Sequence, residues 1–317
     1  MPSWGEILRE LQQSAAPTGA PDFDGVRRKY LIKLHELTGR PVFLYWTNWM
    51  SGQAPGTATM ITLEDMQGFM EVCREVAGPN LDIVLHSPGG IPEATASIVR
   101  YLRQKFSDIR VFVPLAAMSA ATMLALASDR IVMGKHSQLG PIDPQLQAGT
   151  WTAPARGILE QFERAKQECR ADPAALAAWA PILQQYGPAL LEQCRMAEDL
   201  AKRLVTEWLI AYMFKGDSDK AERVAEFFAS YELHQSHSMG IPREMAREQG
   251  LAIEDLEANQ ELQDAVLSVH HAAMLTPAVK LIENHKSRTY AKVQAAAQIV
   301  LPMGPAPPAT PPGLAPS

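Results

Sequence analysis

The 317-residue sequence predicts an α/β fold built on a mostly parallel sheet. Between Pro41 and Gly134, short apolar runs alternate with segments whose apolar residues recur at helical spacing, which is typical of strands joined by crossover helices. The strand-like runs are apolar throughout, as expected for strands that helices cover on both faces. Two turns, SPGG at 87–90 and AAMSAAT at 116–122, follow such runs. Because ligands bind at the carboxyl ends of parallel strands, we expect both turns to face one crevice.

The elements follow in order along the first half of the chain. A short helix is predicted at 4–12, and a second helix at 25–38 is expected to stop at Gly39. Strands and helices then alternate, with strands predicted at 40–49, 80–90, 109–115 and 130–134, and helices between them at 61–78, 92–106 and 120–128. This order predicts βαβ crossovers within a single sheet.

The second half of the chain is predicted to be mostly helical. Charged segments with a 3.6-residue apolar repeat extend over 151–228, a loop covers 230–240, and a last helical segment is expected beyond 261. The Pro-rich stretch 302–317 is predicted to be disordered, because it has little apolar surface to bury. The predicted regions are N-terminal helices and a linker at 1–40, an α/β domain at 41–260, a helical segment at 261–300 and a tail at 301–317.

Composition and charge exclude several classes of protein. The chain carries 29 basic and 35 acidic side chains and a net charge of −6, so no nucleic-acid partner is expected. The cysteines, Cys73, Cys169 and Cys194, are scattered, which argues against a zinc ribbon or a disulfide framework and favours a reducing compartment. The N-terminus lacks the apolar run of a secretory signal, so a cytoplasmic location is expected.

The uncharged run Val111–Ser128 raises the question of a membrane span. A spanning helix needs about 20 apolar residues, and this shorter run contains both Pro114 and Ser119. It is also rich in alanine and is ended by the charged pair Asp129 and Arg130. A buried strand followed by a buried helix is therefore the favoured interpretation.

Ser119 places a polar hydroxyl inside this apolar run, and two interpretations account for it. One interpretation is a small helix-capping residue at a close-packed turn. The other is a nucleophile on a strand-to-helix turn, which exposes the hydroxyl and sets the N–H of Ala120 at a helix N-terminus, where it can stabilise an oxyanion. The surrounding residues do not form the GxSxG motif, so an α/β-hydrolase is not indicated.

The turn SPGG favours the nucleophile. Pro88 fixes a turn, and Gly89 and Gly90 allow the backbone to approach another group closely. The N–H groups of Gly90 and Ala120 are expected to converge on one oxygen as an oxyanion hole, in which each donor contributes about 3–4 kcal/mol of transition-state stabilisation. An ordinary strand-to-helix turn is the alternative.

The ordered set of SPGG, AAMSAAT and LGPIDPQ resembles the ClpP/crotonase superfamily, and within it the serine dehydrogenase proteinase group, a relative of signal peptide peptidase A. The resemblance covers residues 40–255. It implies a ClpP/crotonase-like spiral of ββα units with peripheral helices, Ser119 as nucleophile, and Gly90 and Ala120 as oxyanion donors. The neighbouring residues that it implies for substrate binding are Gly89, Ile91 and Met118.

The sequence departs from the Clp peptidases at the general base. In those enzymes the base is a His that follows the serine, but the corresponding segment of this sequence contains no His. Signal peptide peptidases instead use a Lys from a later helix, and Lys166 lies in the comparable region. It borders an apolar stripe formed by Ile158, Phe162, Ala165 and Cys169. Burial there would favour the neutral amine, which can take a proton, whereas the ordinary alternative is a solvated lysine.

His237 is the rival base, because HQSHSMGIPREMAREQGL resembles the Clp segment that carries the triad Asp, with Ser238 at the position of that Asp. An imidazole titrates near neutral pH and needs less tuning to act as a base. His136 is a third candidate, and Asp143 is expected to tighten a turn or to orient the base. His234 and His237 lack the further ligands of a metal site, so no metal is expected.

The leading prediction is a serine peptidase that acts through an acyl-enzyme on Ser119 and needs no cofactor. The alternatives are a crotonase-like acyl-CoA enzyme, for which Met118–Ser128 offers no carboxylate, and a non-catalytic binding scaffold of the same fold. The chain has no GxxxxGK[ST] motif, so peptides or unfolded protein segments are the expected substrates and folded ones need a separate ATPase. A homo-oligomer is expected from the long helical region 151–228, and a membrane-protein partner is a further candidate.

Overall fold

The computed structural model describes residues 3–14, 19, 21–52, 54, 56–148 and 151–293. The tail predicted at 301–317 lies outside the described residues. The strands are β1 (Val42–Thr47), β2 (Asn80–His86), β3 (Asp108–Val113), β4 (Ala116–Ala117), β5 (Arg130–Met133), β6 (Gln138–Leu139), β7 (Gln145–Ala148), β8 (Trp151–Pro154), β9 (Ile241–Pro242), β10 (Ile253–Asp255), β11 (Lys280–Asn284) and β12 (Thr289–Lys292).

Helices cover both faces of the sheet that these strands build. They are α1 (Trp4–Gln13), α2 (Phe23–Thr38), α3 (Gly56–Thr59), α4 (Asp65–Val72), α5 (Pro92–Lys105), α6 (Ala120–Leu126), α7 (Ala155–Ala171), α8 (Leu176–Leu183), α9 (Leu190–Trp208), α10 (Ser218–Ala229), α11 (Tyr231–His234), α12 (Arg243–Glu248) and α13 (Gln260–Leu275). A π-helical turn, Leu209–Met213, continues α9, and short 3-10 turns lie at Pro173–Ala175 and Leu256–Ala258. Helix α2 ends at Gly39, whose φ is 64°, so the predicted stop is confirmed.

The main sheet has seven strands in the order β10-β5-β3-β2-β1-β11-β12. The neighbours from β10 to β1 pair in parallel, with Tyr45 opposite Leu85 and Val111 opposite Ile131. Strands β11 and β12 extend the sheet by antiparallel pairing. The predicted α/β class with a mostly parallel sheet is confirmed.

Alternate residues of the strands belong to two apolar cores, one on each face of the sheet. Phe43 and Tyr45 of β1 belong to one core together with residues of α4, α5, α6, α9 and α10, whereas Leu44 and Trp46 belong to the other, with residues of α1, α2 and α13. Because both faces are covered, β1 is buried along its whole length, which explains its continuous apolar sequence.

A second, three-stranded sheet stands at the carboxyl end of the main sheet, in the order β4-β6-β9. Its two parallel strands, β4 and β6, each follow a strand of the main sheet, and β3, β4 and α6 form one ββα unit. Strand β9 pairs with β6 in the antiparallel direction. Ala117 therefore lies opposite Leu139, which in turn lies opposite Ile241.

The run Val111–Ser128 is divided between β3, β4 and α6, as the favoured interpretation predicts. Every residue of α6 is buried against the protein interior. Among the described residues, no helix combines the length and the apolar character that crossing a membrane requires.

Several segments differ from the secondary structure predicted for them, and one is α11, which lies within the loop predicted at 230–240. Residues 151–154, where the sequence predicts the start of a helical region, form β8, which pairs with β7 in a hairpin. The helical segment predicted beyond 261 ends at Leu275, and the chain then returns to the main sheet as β11 and β12. Strand β11 is buried although it contains Lys280 and Glu283, because both charged groups have buried ion-pair partners. The division into domains stays a prediction.

Candidate active site

Ser119 forms the turn between β4 and α6, which is the position predicted for a nucleophile. Its φ of 51° and ψ of −122° are rarely adopted by a residue with a side chain, and such strain costs about 1–3 kcal/mol. Ser119 occupies the N-cap position of α6, as one interpretation predicts, but its side chain makes no capping hydrogen bond. The residue is half-buried, and its hydroxyl has no partner among the described residues.

Three hydrogen bonds fix this turn to its surroundings. The backbone N–H of Met118 donates to the carbonyl oxygen of Ser87 at the end of β2, over 3.0 Å. The buried hydroxyl of Thr122 donates to the carbonyl of Ala117 at 2.7 Å and accepts from the N–H of Gly140 at 2.9 Å. The turn is thus tied to the chain on both sides, after β2 and after β6, which can hold Ser119 in its strained conformation.

Gly89 packs directly against the serine turn. A Cβ atom at Gly89 would lie 2.5 Å from the carbonyl oxygen of Met118, 2.7 Å from the backbone nitrogen of Ala120 and 2.8 Å from Cβ of Ser119, and φ is +95°. Only glycine fits this contact. SPGG and AAMSAAT therefore meet, as the sequence predicts.

The two predicted oxyanion donors belong to residues at this contact. Within the described part of the chain, the N–H groups of Gly90 and Ala120 have no hydrogen-bond acceptor. The N–H of Gly89 is already used, because it donates to the hydroxyl of Ser87 at 3.1 Å. This pattern leaves Gly90 and Ala120 as the candidate donors to a substrate oxygen.

His86, at the end of β2, lies behind the same contact. Its Nδ1 is 3.1 Å from the carbonyl oxygen of Ala116, which also accepts the N–H of Ser87 at 3.2 Å. Burial lowers the pKa of His86 to about 4, so the imidazole is neutral at neutral pH and donates through Nδ1–H. Sequence reasoning did not single out this residue, although its position directly before SPGG was a signal.

His237 and Asp143 form a hydrogen-bonded pair. The Nδ1 atom of His237 lies 2.7 Å from Oδ1 of Asp143, and the second carboxylate oxygen accepts from the side-chain amide of Gln145 at 2.7 Å. The Asp143 side chain is 5% exposed and that of His237 is 27% exposed. A carboxylate on Nδ1 selects the tautomer in which Nε2 carries the lone pair, which is the form that acts as a base.

The three-stranded sheet brings this pair to the end at which Ser119 lies. Ser119 follows β4, Asp143 follows the parallel strand β6, and His237 precedes the antiparallel strand β9. All three positions are consequently at the same end of a sheet whose neighbouring strands are about 4.8 Å apart. The three side chains are those of which a Ser-His-Asp triad is composed.

Lys166, the other predicted base, lies in a different environment. Its side chain is 41% exposed, and its Nζ atom is 3.0 Å from a carboxylate oxygen of Glu163. Helix α7 is anchored at its start, where the N–H of Ala155 bonds to the carbonyl of Pro144, and Lys166 lies about 16 Å further along the helix axis. The amine therefore lacks the apolar burial that the sequence predicted for it.

The remaining histidine candidates have other surroundings. His136 is exposed in the turn between β5 and β6, and its ring packs on Gly134. The Nε2 atom of His234 is 2.8 Å from the carbonyl of Phe227, so His234 and His237 bond to different partners. In the part of the chain that the structure describes, His, Cys, Asp and Glu form no group of three or more suited to a metal ion.

Comparison with known sequences identifies a family. A family model described as ClpP-like SDH-type serine proteinase matches residues 57–274. Two relatives from Methanocaldococcus jannaschii, the uncharacterized proteins MJ0137 and MJ1495, are 40% and 35% identical over 98 and 105 residues. These matches cover 30% and 33% of this chain and 33% and 35% of the relatives, so the chain spans about a third of their length.

Comparison with solved structures finds two variants of a 1510-N membrane-bound stomatin-specific protease, one of them in complex with a substrate peptide. They are 19% and 16% identical to this chain, each with a TM-score of 0.36. The superpositions cover 61% of this chain and 74% and 70% of the other chains.

Proposed function

Because this chain belongs to the family of ClpP-like SDH-type serine proteinases, we propose that it hydrolyses peptide bonds through an acyl-enzyme on Ser119. The observation that carries the proposal is the hydrogen-bonded pair of His237 and Asp143 at the end of the small sheet where Ser119 lies. This pair favours His237 over Lys166 as the general base, because Lys166 is exposed and paired with Glu163. Family membership favours a peptidase over the acyl-CoA alternative.

In the first half of the proposed reaction, Oγ of Ser119 attacks the carbonyl carbon of the scissile peptide bond, and Nε2 of His237 takes the hydroxyl proton. The carbonyl oxygen becomes an oxyanion that accepts from the N–H groups of Gly90 and Ala120. Asp143 holds the imidazole and stabilises the imidazolium that forms. The tetrahedral intermediate then collapses, the C–N bond breaks, and His237 gives the proton to the leaving amine.

In the second half, water replaces the amine. His237 takes a proton from a water molecule, whose oxygen attacks the acyl carbon, and the ester bond to Ser119 breaks with return of the proton to Oγ. The released products are a carboxylic acid and the regenerated enzyme.

The proposed substrates are peptides or unfolded protein segments, in line with the absence of a nucleotide-binding motif from the sequence. Ile91 follows Gly90 in an extended conformation and is 44% exposed, so an apolar substrate side chain can pack on it. Met118 precedes the nucleophile and is 7% exposed. These residues and Gly89 remain the proposed substrate contacts.

The direct test is covalent labelling with a fluorophosphonate probe, followed by mass spectrometry of the labelled peptide and by hydrolysis of fluorescein-labelled casein. We expect labelling at Ser119 and its complete loss in Ser119→Ala, together with loss of casein hydrolysis. A chain that is folded but neither labelled nor hydrolytic would be the binding scaffold instead. Retention on immobilised coenzyme A, with casein untouched, would favour the acyl-CoA enzyme.

A homo-oligomer is part of the proposal. Helices α8 and α9 expose apolar side chains, among them Leu176 at 55% and Met196 at 69%, which a second copy of the chain can cover. Light scattering at micromolar concentration is expected to give a multiple of 34.8 kDa, and a monomer would contradict this. A separate ATPase for folded substrates, a membrane-protein partner and a cytoplasmic location stay predictions.

A further inference from the structure

A buried lysine lies outside the candidate triad. Lys280 of β11 has a side chain that is 0% exposed, and its Nζ atom is 2.6 and 2.8 Å from the two carboxylate oxygens of Asp65. The same ammonium group donates to the carbonyl oxygen of Met60 at 2.7 Å. All three donors of the ammonium ion are therefore used, two on Asp65 and one on the backbone.

Asp65 is equally buried and is held by more than the lysine. Oδ2 accepts from the hydroxyl of Tyr45 at 2.8 Å and from the backbone N–H of Thr62 at 3.0 Å. Burial lowers the pKa of the Lys280 amine, and the charge of Asp65 opposes this. The cost of desolvating two charges offsets most of the attraction between them, so a fully buried ion pair adds little net stability and its presence calls for another reason.

The ion pair fixes the backbone on both sides of Ile61. Lys280 holds the carbonyl of Met60, and Asp65 holds the N–H of Thr62. Ile61 itself pairs with the glycine turn, because its N–H donates to the carbonyl of Gly89 at 2.7 Å and its carbonyl accepts the N–H of Ile91 at 2.9 Å.

Gly90 lies between these two hydrogen bonds. A Cβ atom at Gly90 would be 2.4 Å from both the nitrogen and the oxygen of Ile61, so the glycine backbone lies directly against that residue. Any shift of Ile61 would reorient the peptide groups that flank Gly90. The chain of contacts thus runs from Lys280 and Asp65, through Ile61, to the candidate oxyanion donor.

We propose that Lys280 and Asp65 are positioning residues, which orient the N–H of Gly90 for the oxyanion of the reaction on Ser119. The proposal rests on the proposed function of Ser119. Lys280 lies beyond the residues 57–274 that the family model matches, so the C-terminal strand of this chain supplies a part of the site from outside that region.

Loss of positioning has a kinetic signature that loss of folding lacks. An oxyanion donor acts on the transition state, and removal of one costs about 10²–10³ in kcat. Displacement of such a donor should cost less, about 10- to 100-fold in kcat, with KM changed less than about threefold. A variant that is merely less folded would lose active sites and keep the kcat of each remaining site.

The experiment compares Lys280→Met with Lys292→Met. Lys292 lies on the neighbouring strand β12 and forms an ion pair with the exposed Glu64, the residue next to Asp65. Its variant therefore removes a nearby lysine and leaves the contacts among Lys280, Asp65 and Ile61 in place. Fluorophosphonate labelling counts active sites, and casein hydrolysis gives kcat and KM for each site. We expect Lys280→Met to lower kcat and the labelling rate by about 10- to 100-fold, and Lys292→Met to leave both within about twofold.

A double variant keeps the test valid if Lys280→Met alone, which leaves the Asp65 charge unpaired, fails to fold. Lys280→Met combined with Asp65→Leu removes both charges and leaves neither unpaired in the interior. The same fall in kcat, with KM retained, is expected there. Normal kcat in a folded variant that lacks the pair overturns the inference and leaves the role of Ser119 intact. A wild-type chain that the probe does not label overturns the proposed function itself, and this inference with it.

Discussion

His237 and Asp143 are separated by 94 positions in the sequence, yet their side chains are joined by a 2.7 Å hydrogen bond from Nδ1 to Oδ1. The pairing of β6 with β9 brings their segments together, since Leu139 lies opposite Ile241. Asp143 is buried, so its charge needs the partners it has in His237 and Gln145. Because Nδ1 of the partly exposed imidazole is bonded to Asp143, Nε2 is the atom that can bond to another group. The strained turn of Ser119 lies at the same end of the small sheet.

The first prediction concerns Asp143→Asn. The amide can still accept or donate at Nδ1 of His237, but it no longer enforces the tautomer with a free Nε2, so kcat should fall by about 10³–10⁴-fold. Thermal unfolding should stay close to that of the wild type, because the amide keeps the size of the carboxylate. Hydrolysis of labelled casein measures the change, and activity within tenfold of the wild type would remove Asp143 from the mechanism.

The second prediction concerns the contact of Gly89 with the serine turn. In Gly89→Ala, the new methyl group meets Met118 and Ser119 at less than 3.0 Å, so we expect a loss of about 2–3 kcal/mol in the free energy of unfolding, together with loss of labelling at Ser119. Gly187→Ala is the matched control, because no atom lies within 4 Å of its Cβ position. The free energies of unfolding of the two variants in urea should differ clearly. Equal values would show that the serine turn shifts to make room for the methyl group.

The third prediction follows from the backbone strain at Ser119. Glycine adopts positive φ without penalty, so Ser119→Gly should be more stable than Ser119→Ala by about 1 kcal/mol, after allowance for the flexibility of glycine in the unfolded chain. Both variants should be inactive. Chemical denaturation at neutral pH provides the comparison, and a less stable glycine variant would mean that the φ of 51° is not a source of strain.

The fourth prediction is a pH dependence of stability that originates at His86. Its pKa is about 4 in the fold against 6.5 in a model imidazole, so the unfolded chain binds more protons between these values. Stability is then complete above the higher value and falls as the pH drops toward 4, by about 3 kcal/mol for this residue. Urea unfolding at pH 7 and pH 4 should show a smaller loss in His86→Asn than in the wild type. Equal losses would assign the effect to other groups.

The elements that sequence reasoning predicted well are those with a local signature. The strands β1, β2 and β3 are long apolar runs bounded by turns, and the contact between SPGG and the serine turn follows from their places at strand ends. Strand β11 was missed because Lys280, Glu283 and Asn284 interrupt its apolar pattern. The ion-pair partners of Lys280 and Glu283 lie more than 200 positions away, as with Asp65 for Lys280, and no local pattern reveals them.

The choice of general base shows the same limit. Lys166 and His237 were both compatible with the sequence, because each lies in a segment that resembles a catalytic region of a related peptidase. The relationship that favours His237 is the register of β4, β6 and β9, and two-residue strands are too short to give a periodic signal. Burial of Asp143 beside His237 and exposure of Lys166 beside Glu163 are likewise tertiary properties.

The central claim is that His237 activates Ser119, and one measurement tests it most directly. The second-order rate of fluorophosphonate labelling at Ser119 is compared among the wild type, His237→Ala and Lys166→Ala. We predict a fall of about 10³-fold or more in His237→Ala and a rate within about twofold of the wild type in Lys166→Ala. A full rate in His237→Ala with labelling abolished in Lys166→Ala would contradict the account.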